Sequence, residues 1–355
     1  MTGVVEEILR RLRSGLRARR PRQTVSGEES SRAIARPALR GVLVARAVVI
    51  LAAAPLLAGV LAACGSSSAA VTDGSAGAVS VVAAENEYGS VAAQIGGRYV
   101  HVVSVESNPN TDPHTYEVSP NVASEVSGAG LVIQNGVGYD NYMGKIESAS
   151  PNPKRKVIDV QRLLGLPDST PNPHLWYAPR TMPAAARAMA DDFAALDPTH
   201  AAYFRQNLAR FDASLKPWYA AIAAFRARYG GSAVATTEPV ADYLLQAMGI
   251  DNLTPFVFQA DIMNGTDPSP QNVALENGFF SQRKVKVFAY NQQVTGALTK
   301  SFLETSRKAG IPVVGVYETM PTPGYTYQTW MMAEVAALEK ALTNKVSTES
   351  LQKGR

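Results

Sequence analysis

The chain has 355 residues, a formal net charge of +4, one cysteine and four histidines. The positive excess lies in the first 46 residues, which carry 11 Arg and 4 Glu, so the rest of the chain is net acidic and nucleic acid is not an expected partner. A single cysteine also excludes an internal disulfide and a thiolate metal cluster.

The N-terminal region has the layout of an export signal. An uncharged apolar run of 17 residues, 47–63, follows Arg40 and Arg46 and leads directly into Cys64. A membrane-spanning helix needs about 20 apolar residues, whereas a positive flank, a short apolar core and small residues at the end are typical of a signal peptide. Leu61-Ala-Ala-Cys64 resembles the bacterial lipoprotein signal, and an ordinary signal peptide beside an unmodified cysteine is the alternative.

We therefore predict an N-terminal extension and signal peptide over residues 1–63 and lipidation of Cys64. Residues 64–78 are rich in Gly, Ser and Ala, which is the composition of a flexible linker. Such a linker would let a folded body stand away from a lipid anchor on the outer face of the cytoplasmic membrane.

Residues 79–197 alternate between short apolar β-type runs and helical stretches. The predicted strands are residues 79–84, 99–105, 131–134 and 157–160, with helices at 88–95, 119–127 and 139–147. This order favours a mostly parallel sheet flanked by helices. Ligands of such sheets bind beyond the carboxyl ends of the strands, so the residues there are candidates for a site.

Residues 198–229 carry no strand signal and predict one connecting helix. At 1.5 Å per residue it would be about 45 Å long, with Pro217 as a point where it can kink. Residues 230–345 then resume the alternation as a second lobe, followed by a tail over residues 346–355. The predicted strands of this lobe are residues 233–237, 253–258, 285–290 and 313–317, and its helices end near residues 248, 279, 309 and 342.

Two of the four histidines lie in the same setting. The two segments are Asp112-Pro-His114-Thr-Tyr-Glu117 and Asn172-Pro-His174-Leu-Trp176-Tyr177. A proline before a histidine fixes the backbone and favours extended geometry in the residue ahead of it, which suits a stiff loop that presents an imidazole. Two unrelated loop histidines are the alternative that the spacing leaves open.

Two glutamates stand at equivalent places in the second lobe, since Glu238 and Glu318 each follow a predicted strand. Two neutral imidazoles and two carboxylates bring a charge of −2, which cancels that of a divalent ion. Mixed nitrogen and oxygen ligation suits zinc or manganese. For each glutamate taken alone, helix capping or simple solvation is the alternative.

Residues from about 79 to 342 resemble the cluster of bacterial solute-binding proteins that serve zinc and manganese ABC transporters, a cluster that includes the streptococcal adhesin-type lipoproteins. Besides the two histidine segments, the matching pieces are Ala84-Glu-Asn86, Leu131-Val-Ile-Gln-Asn-Gly136, Leu196-Asp-Pro198, and Ile311-Pro-Val-Val314 ahead of Glu318-Thr319. The resemblance implies two α/β lobes, each with a mostly parallel sheet, joined by one long backbone helix, with the metal in the cleft between the lobes.

The resemblance also implies a ligand set. The family's first two histidine ligands correspond to His114 and His174, its third ligand to Glu238 and its fourth to Glu318. A His/Asp-rich loop after the first histidine is absent and the third ligand is a glutamate, and both departures favour manganese while zinc stays open. Asp112, Glu117 and Trp176 flank these histidines and are candidates for orienting them, with ordinary capping or packing as the alternative.

The function that follows is capture of one Zn²⁺ or Mn²⁺ ion outside the cytoplasm and its delivery to an ABC permease with a cytosolic ATPase. We expect a monomer that is not an enzyme. A metal-dependent hydrolase is the first alternative, but a catalytic zinc keeps an open position, and the sequence contains no His-Glu-x-x-His run. A surface adhesin is the second alternative, with surface anchoring as its one supporting feature.

Overall fold

The computed structural model describes residues 77–351. The predicted signal peptide, Cys64, most of the linker and the last four residues therefore lie outside the described residues. Within the described residues, no helix combines the length and the apolarity that crossing a membrane requires.

The first lobe is a parallel sheet of four strands with helices on its faces. Its strands are β1 Val79–Glu85, β2 Val100–Glu106, β3 Leu131–Gln134 and β4 Lys156–Asp159. Its helices are α1 Asn86–Gly96, α2 Pro120–Gly128, α3 Asn141–Ala149, α4 Val160–Leu163 and α5 Thr181–Leu196. The strand order is β2-β1-β3-β4. Val81 to Ala84 of β1 are all fully buried because β1 is an inner strand that is covered on both faces, as the unbroken apolar run predicts.

The second lobe repeats this topology. Its strands are β5 Ala233–Thr236, β6 Asp251–Asn252, β7 Val287–Asn291 and β8 Val313–Val316, in the order β6-β5-β7-β8. Its helices are α8 Asp242–Ala247, α9 Phe256–Met263, α10 Pro270–Ser281, α11 Ala297–Lys308 and α12 Tyr327–Asn344. All strand pairs are parallel, so the predicted fold class is confirmed.

The connection between the lobes is bent. It consists of a 3₁₀ turn at Pro198–His200 and two helices, α6 Ala201–Ser214 and α7 Lys216–Tyr229. The two helices meet at Leu215, and Pro217 lies in the first turn of α7. Proline has no N–H to bond to the preceding turn, so the helical ladder is interrupted at this point.

Two details of the second lobe differ from the prediction. The strand predicted at residues 253–258 is wrong. Strand pairing stops after Asn252, and Pro255 directly precedes α9. Because proline has no N–H to donate, Pro255 cannot continue the pairing of the strand. Part of the predicted tail belongs to the sheet, since Thr348 donates its N–H to the carbonyl of Val313 and accepts from the N–H of Gly315.

One apolar core runs through both lobes and the connection. Trp176 of the first lobe, Trp218 of α7 and Trp330 of α12 are fully buried in the same cluster. The hydroxyl of Tyr327, on α12, donates to the carbonyl of Trp176 at 2.7 Å. The segment that carries His174 is therefore packed directly against the last helix of the second lobe.

Candidate metal centre

His114 lies on a 3₁₀ turn, Pro113–Thr115, in the loop after β2. Asp112 caps this turn by accepting the backbone N–H of His114 at 2.9 Å. The imidazole remains 23% exposed, so this side of the cleft is open to solvent. Proline and the capping carboxylate together fix the backbone that carries the ring.

His174 is fully buried, and its orientation is fixed by Asn172. The side-chain oxygen of Asn172 accepts from the backbone N–H of His174 at 3.0 Å and from its Nδ1–H at 2.7 Å. An amide oxygen only accepts, so Nδ1 carries the hydrogen and the lone pair of Nε2 faces the cleft. Asn172 also donates to the carbonyl of Pro239, which directly follows Glu238 in the second lobe.

Glu318 meets both imidazoles. It follows β8 by one residue, and its Oε2 lies 3.0 Å from Nε2 of His114 and 3.1 Å from Nε2 of His174. Ligand bonds of 2.0–2.1 Å place neighbouring atoms of a tetrahedral zinc site about 3.3 Å apart. The two measured distances are close to this spacing, and the three ligand atoms all lie within 4.8 Å of one another.

Glu238 lies beside this group without joining it. Its Oε1 accepts from the side-chain nitrogen of Asn291 at 3.1 Å, and the same nitrogen donates to Oε1 of Glu318 at 2.7 Å. The other oxygen of Glu238 is buried and has no hydrogen-bond partner among the described residues. A buried carboxylate oxygen without a partner is costly, and a cation in the cleft would supply that partner.

The two carboxylates have opposite electrostatics. Burial would raise the pKa of Glu318, but the imidazoles of His114 and His174 beside its Oε2 outweigh it and hold that pKa well below its usual range. Burial, reinforced by the charge of Glu318, raises the pKa of Glu238 well above its ordinary value. Without a metal, therefore, the site favours one ionised and one protonated carboxyl group.

The imidazoles also differ. Burial lowers the pKa of His174. For His114 burial acts in the same direction, but the contact with Glu318 outweighs it and raises the pKa. His174 is thus held neutral, which is the form that ligates a metal.

Three groups around the site were missed by the sequence analysis. The hydroxyl of Tyr139 donates to Oε2 of Glu318 at 3.0 Å, and its ring meets both imidazoles edge-on. Asn291 bridges the two carboxylates, and Gln293 accepts the backbone N–H groups of Glu318 and Thr319. Asn291 and Gln293 lie at the carboxyl end of β7, so the strand-end rule applied to the glutamates would have found them.

The three residues predicted to orient the histidines have different surroundings. Asp112 holds the backbone of His114, and Trp176 packs edge-on against His174 with ring centroids 5.4 Å apart. Glu117 is exposed, and no described contact joins it to the site. Its sequence position beside the histidine turn carries no information on where its side chain points.

Comparison with known proteins shows the family of the chain. Residues 81–341 match the family described as ZnuA, the periplasmic component A of a zinc-uptake complex. The chain belongs to the ZnuA family. Members of this family bind a transition metal outside the cytoplasm and deliver it to an ABC permease, so this ZnuA-family protein is the metal-binding component of an importer and not an enzyme.

Solved structures share its fold at low sequence identity. The periplasmic zinc-binding protein TroA of Treponema pallidum is 18% identical with a TM-score of 0.65, covering 75% of this chain and 99% of TroA. The solute-binding protein FpvC of Pseudomonas aeruginosa, solved with Mn²⁺, is 19% identical with a TM-score of 0.63, covering 76% and 99%. A mutant of the laminin-binding adhesin of Streptococcus agalactiae is 17% identical with a TM-score of 0.63, covering 75% and 100%. No curated protein matches the chain.

Proposed function

We propose that His114, His174, Glu238 and Glu318 together hold the transported ion, one Zn²⁺ or Mn²⁺, in the cleft between the lobes. The observation that carries this proposal is the convergence of both Nε2 atoms on Oε2 of Glu318 at 3.0 and 3.1 Å. The Nε2 lone pair of His174 faces a carboxylate oxygen, and a cation between them turns that repulsion into ligation.

Glu238 completes the set as the fourth ligand. Its unpartnered oxygen is buried, and its other oxygen shares the amide of Asn291 with Glu318, so a small movement brings both carboxylates to one ion. Two carboxylates and two neutral imidazoles then balance a divalent charge in a buried site. Four protein ligands fill a tetrahedral shell, which argues against a hydrolytic centre with an open position for water.

The donor set accepts both metals. Zinc takes two imidazoles and two carboxylates in tetrahedral geometry, while the harder manganese ion is favoured by a second carboxylate in place of a third histidine. Asp112 and Trp176 serve as supports of the ligands, through the backbone of His114 and the ring of His174 respectively.

The N-terminal segment would hold the protein at the membrane. Lipidation of Cys64 would anchor it to the outer face of the cytoplasmic membrane, and the segment up to residue 76 would span the distance to the folded body. The protein would act as a monomer that presents its loaded cleft to the permease. Mass spectrometry of the membrane-extracted protein tests the lipidation of Cys64.

The deciding experiment is a titration of the chelator-treated protein with Zn²⁺ and then with Mn²⁺ by isothermal calorimetry. We expect one ion per chain, a rise in the unfolding temperature on binding, and weaker binding at acid pH because imidazoles must be neutral to ligate. Absence of binding for both metals, or a stoichiometry of two, would contradict the proposal.

A further inference from the structure

A buried carboxylic acid far along the chain from the ligands contacts the segment that carries His174. Glu334 lies on α12 and is 1% exposed. Its Oε1 accepts from Nε1 of Trp330 at 3.1 Å and lies 3.2 Å from the hydroxyl of Tyr177, while Oε2 has no partner among the described residues. Tyr177 is fully buried and lies three residues after His174, at the end of a 3₁₀ turn.

The hydroxyl of Tyr177 also lies 2.8 Å from the carbonyl oxygen of Tyr317. A phenol has one hydrogen, and this short contact is the one that uses it. A bond between Tyr177 and Glu334 then requires the hydrogen to come from Glu334. Burial raises the pKa of Glu334 to about 8, so the carboxyl group carries that hydrogen at neutral pH. The other ionisable groups that face it are Tyr317 and Tyr325.

The chain of bonds ends on the peptide unit that joins Tyr317 to Glu318. Tyr177, from the first lobe, holds the carbonyl of this unit at 2.8 Å. Gln293, from the second lobe, holds its N–H at 2.6 Å. Both polar groups of the peptide unit that precedes the Glu318 side chain are therefore hydrogen-bonded. One of the two partners, Tyr177, lies on the turn that follows His174.

We propose that Glu334 and Tyr177 form a positioning pair for metal capture, in which Glu334 directs the Tyr177 hydroxyl onto the carbonyl of Tyr317 and so sets the spacing between His174 and Glu318. This inference rests on the proposed function, because the spacing matters only if both side chains ligate the ion. Neither member of the pair touches the metal; both act through the backbone that carries the ligands.

The test compares zinc affinity among purified variants, measured by competition with a chelating dye at a temperature well below every unfolding transition. Tyr177→Phe and Glu334→Leu should each weaken binding about five- to tenfold, which corresponds to the loss of one hydrogen bond. The double variant should bind no more weakly than either single variant, because both changes break the same chain of bonds. Glu334→Gln should stay closer to the unaltered protein, since an amide N–H can donate to Tyr177.

Glu276 offers a matched control. It is fully buried in the second lobe, burial raises its pKa to about 8, and its partner is Thr254 rather than a residue of the first lobe. Glu276→Leu should lower the unfolding temperature and leave zinc affinity unchanged. A loss of affinity equal to that of Glu334→Leu would overturn the inference, because both effects would then reflect general loosening.

Other outcomes also decide the question. Unaltered affinity in Tyr177→Phe would overturn the pair directly. If Glu334→Leu does not fold, Glu334→Met, which also removes the donor, is measured with and without Tyr177→Phe, and equal losses of zinc affinity in the two backgrounds overturn the pair. An unaltered protein that binds no zinc and no manganese would instead contradict the proposed function itself.

Discussion

The first lobe holds its imidazoles by local contacts, whereas the second lobe holds its carboxylates by distant ones. His114 and His174 are each capped by a side chain two residues earlier, Asp112 and Asn172. Glu238 and Glu318 instead share one amide, that of Asn291 at the end of another strand. The two halves of one site are therefore ordered in different ways.

The difference has a consequence for metal capture. A turn that is capped by a residue two positions earlier is ordered by bonds within its own loop, so the orientation of the imidazoles is set locally before an ion binds. The carboxylates are held as a pair because Asn291 donates to both, and one of them, Glu318, lies against both imidazoles. Variants in the two lobes should therefore fail in different ways.

The largest effect on metal affinity is expected from His174, the proposed first-lobe ligand that is fully buried. His174→Ala should weaken zinc binding by more than about 100-fold, because removal of an outer partner alone typically costs about 10- to 100-fold and this change removes a ligand. Calorimetric titration measures it. His200→Ala is the control, since His200 pairs with Asp197 through a local contact. Retention of tight binding in His174→Ala would remove this residue from the ligand set.

Asn291→Leu alters the second-lobe half of the site without replacing one of the four proposed ligands. It leaves two buried carboxylates without their shared donor, so zinc affinity should fall about 10- to 100-fold. Asn207→Leu is the matched control, because Asn207 donates to the carbonyl of Ile95 instead. Equal affinities in the two variants would show that the carboxylates do not depend on their bridge.

Removal of the two capping side chains of the first lobe should weaken zinc binding to different extents. Asn172→Ala removes the acceptor of the His174 ring and the donor to Pro239, and we expect about tenfold weaker binding. Asp112→Ala removes a backbone cap beside a partly exposed ring and should cost about threefold or less. The same titration ranks them, and the reverse order would contradict the role given to Asn172.

Glu276→Gln is expected to leave zinc affinity unchanged and to alter the stability of the fold instead. Burial raises the pKa of Glu276 from an ordinary 4.5 to about 8, so between those pH values the folded state holds a proton that the unfolded state has released. Stability from this group is present below pH 4.5 and is lost as the pH rises to about 8, at up to about 1.4 kcal/mol per unit. Urea denaturation at several pH values measures the free energy of unfolding, which should change less with pH in Glu276→Gln than in the unaltered protein. The same pH dependence in both proteins would contradict the raised pKa.

Local patterns in the sequence were sufficient for the fold class and for the candidate side chains. Apolar runs predicted all four strands of the first lobe to within a residue or two, and strand ends followed by polar residues singled out Glu238 and Glu318. The prediction failed at residues 253–258, where residues 253–255 lead into α9 and residues 256–258 form its first turn. A short apolar run fits either element, and only its packing against the lobe decides.

The sequence by itself determined which residue types are available, in what order, and that two histidine turns have the same local design. Only the tertiary structure decided that three of the four predicted ligands meet at one point and that Tyr139, Asn291, Gln293 and the Tyr177–Glu334 pair support them. The reason is physical: a cap depends on bonds within a few residues, whereas contacts between residues 25 to 179 positions apart exist only after the strands and lobes have packed on their common core.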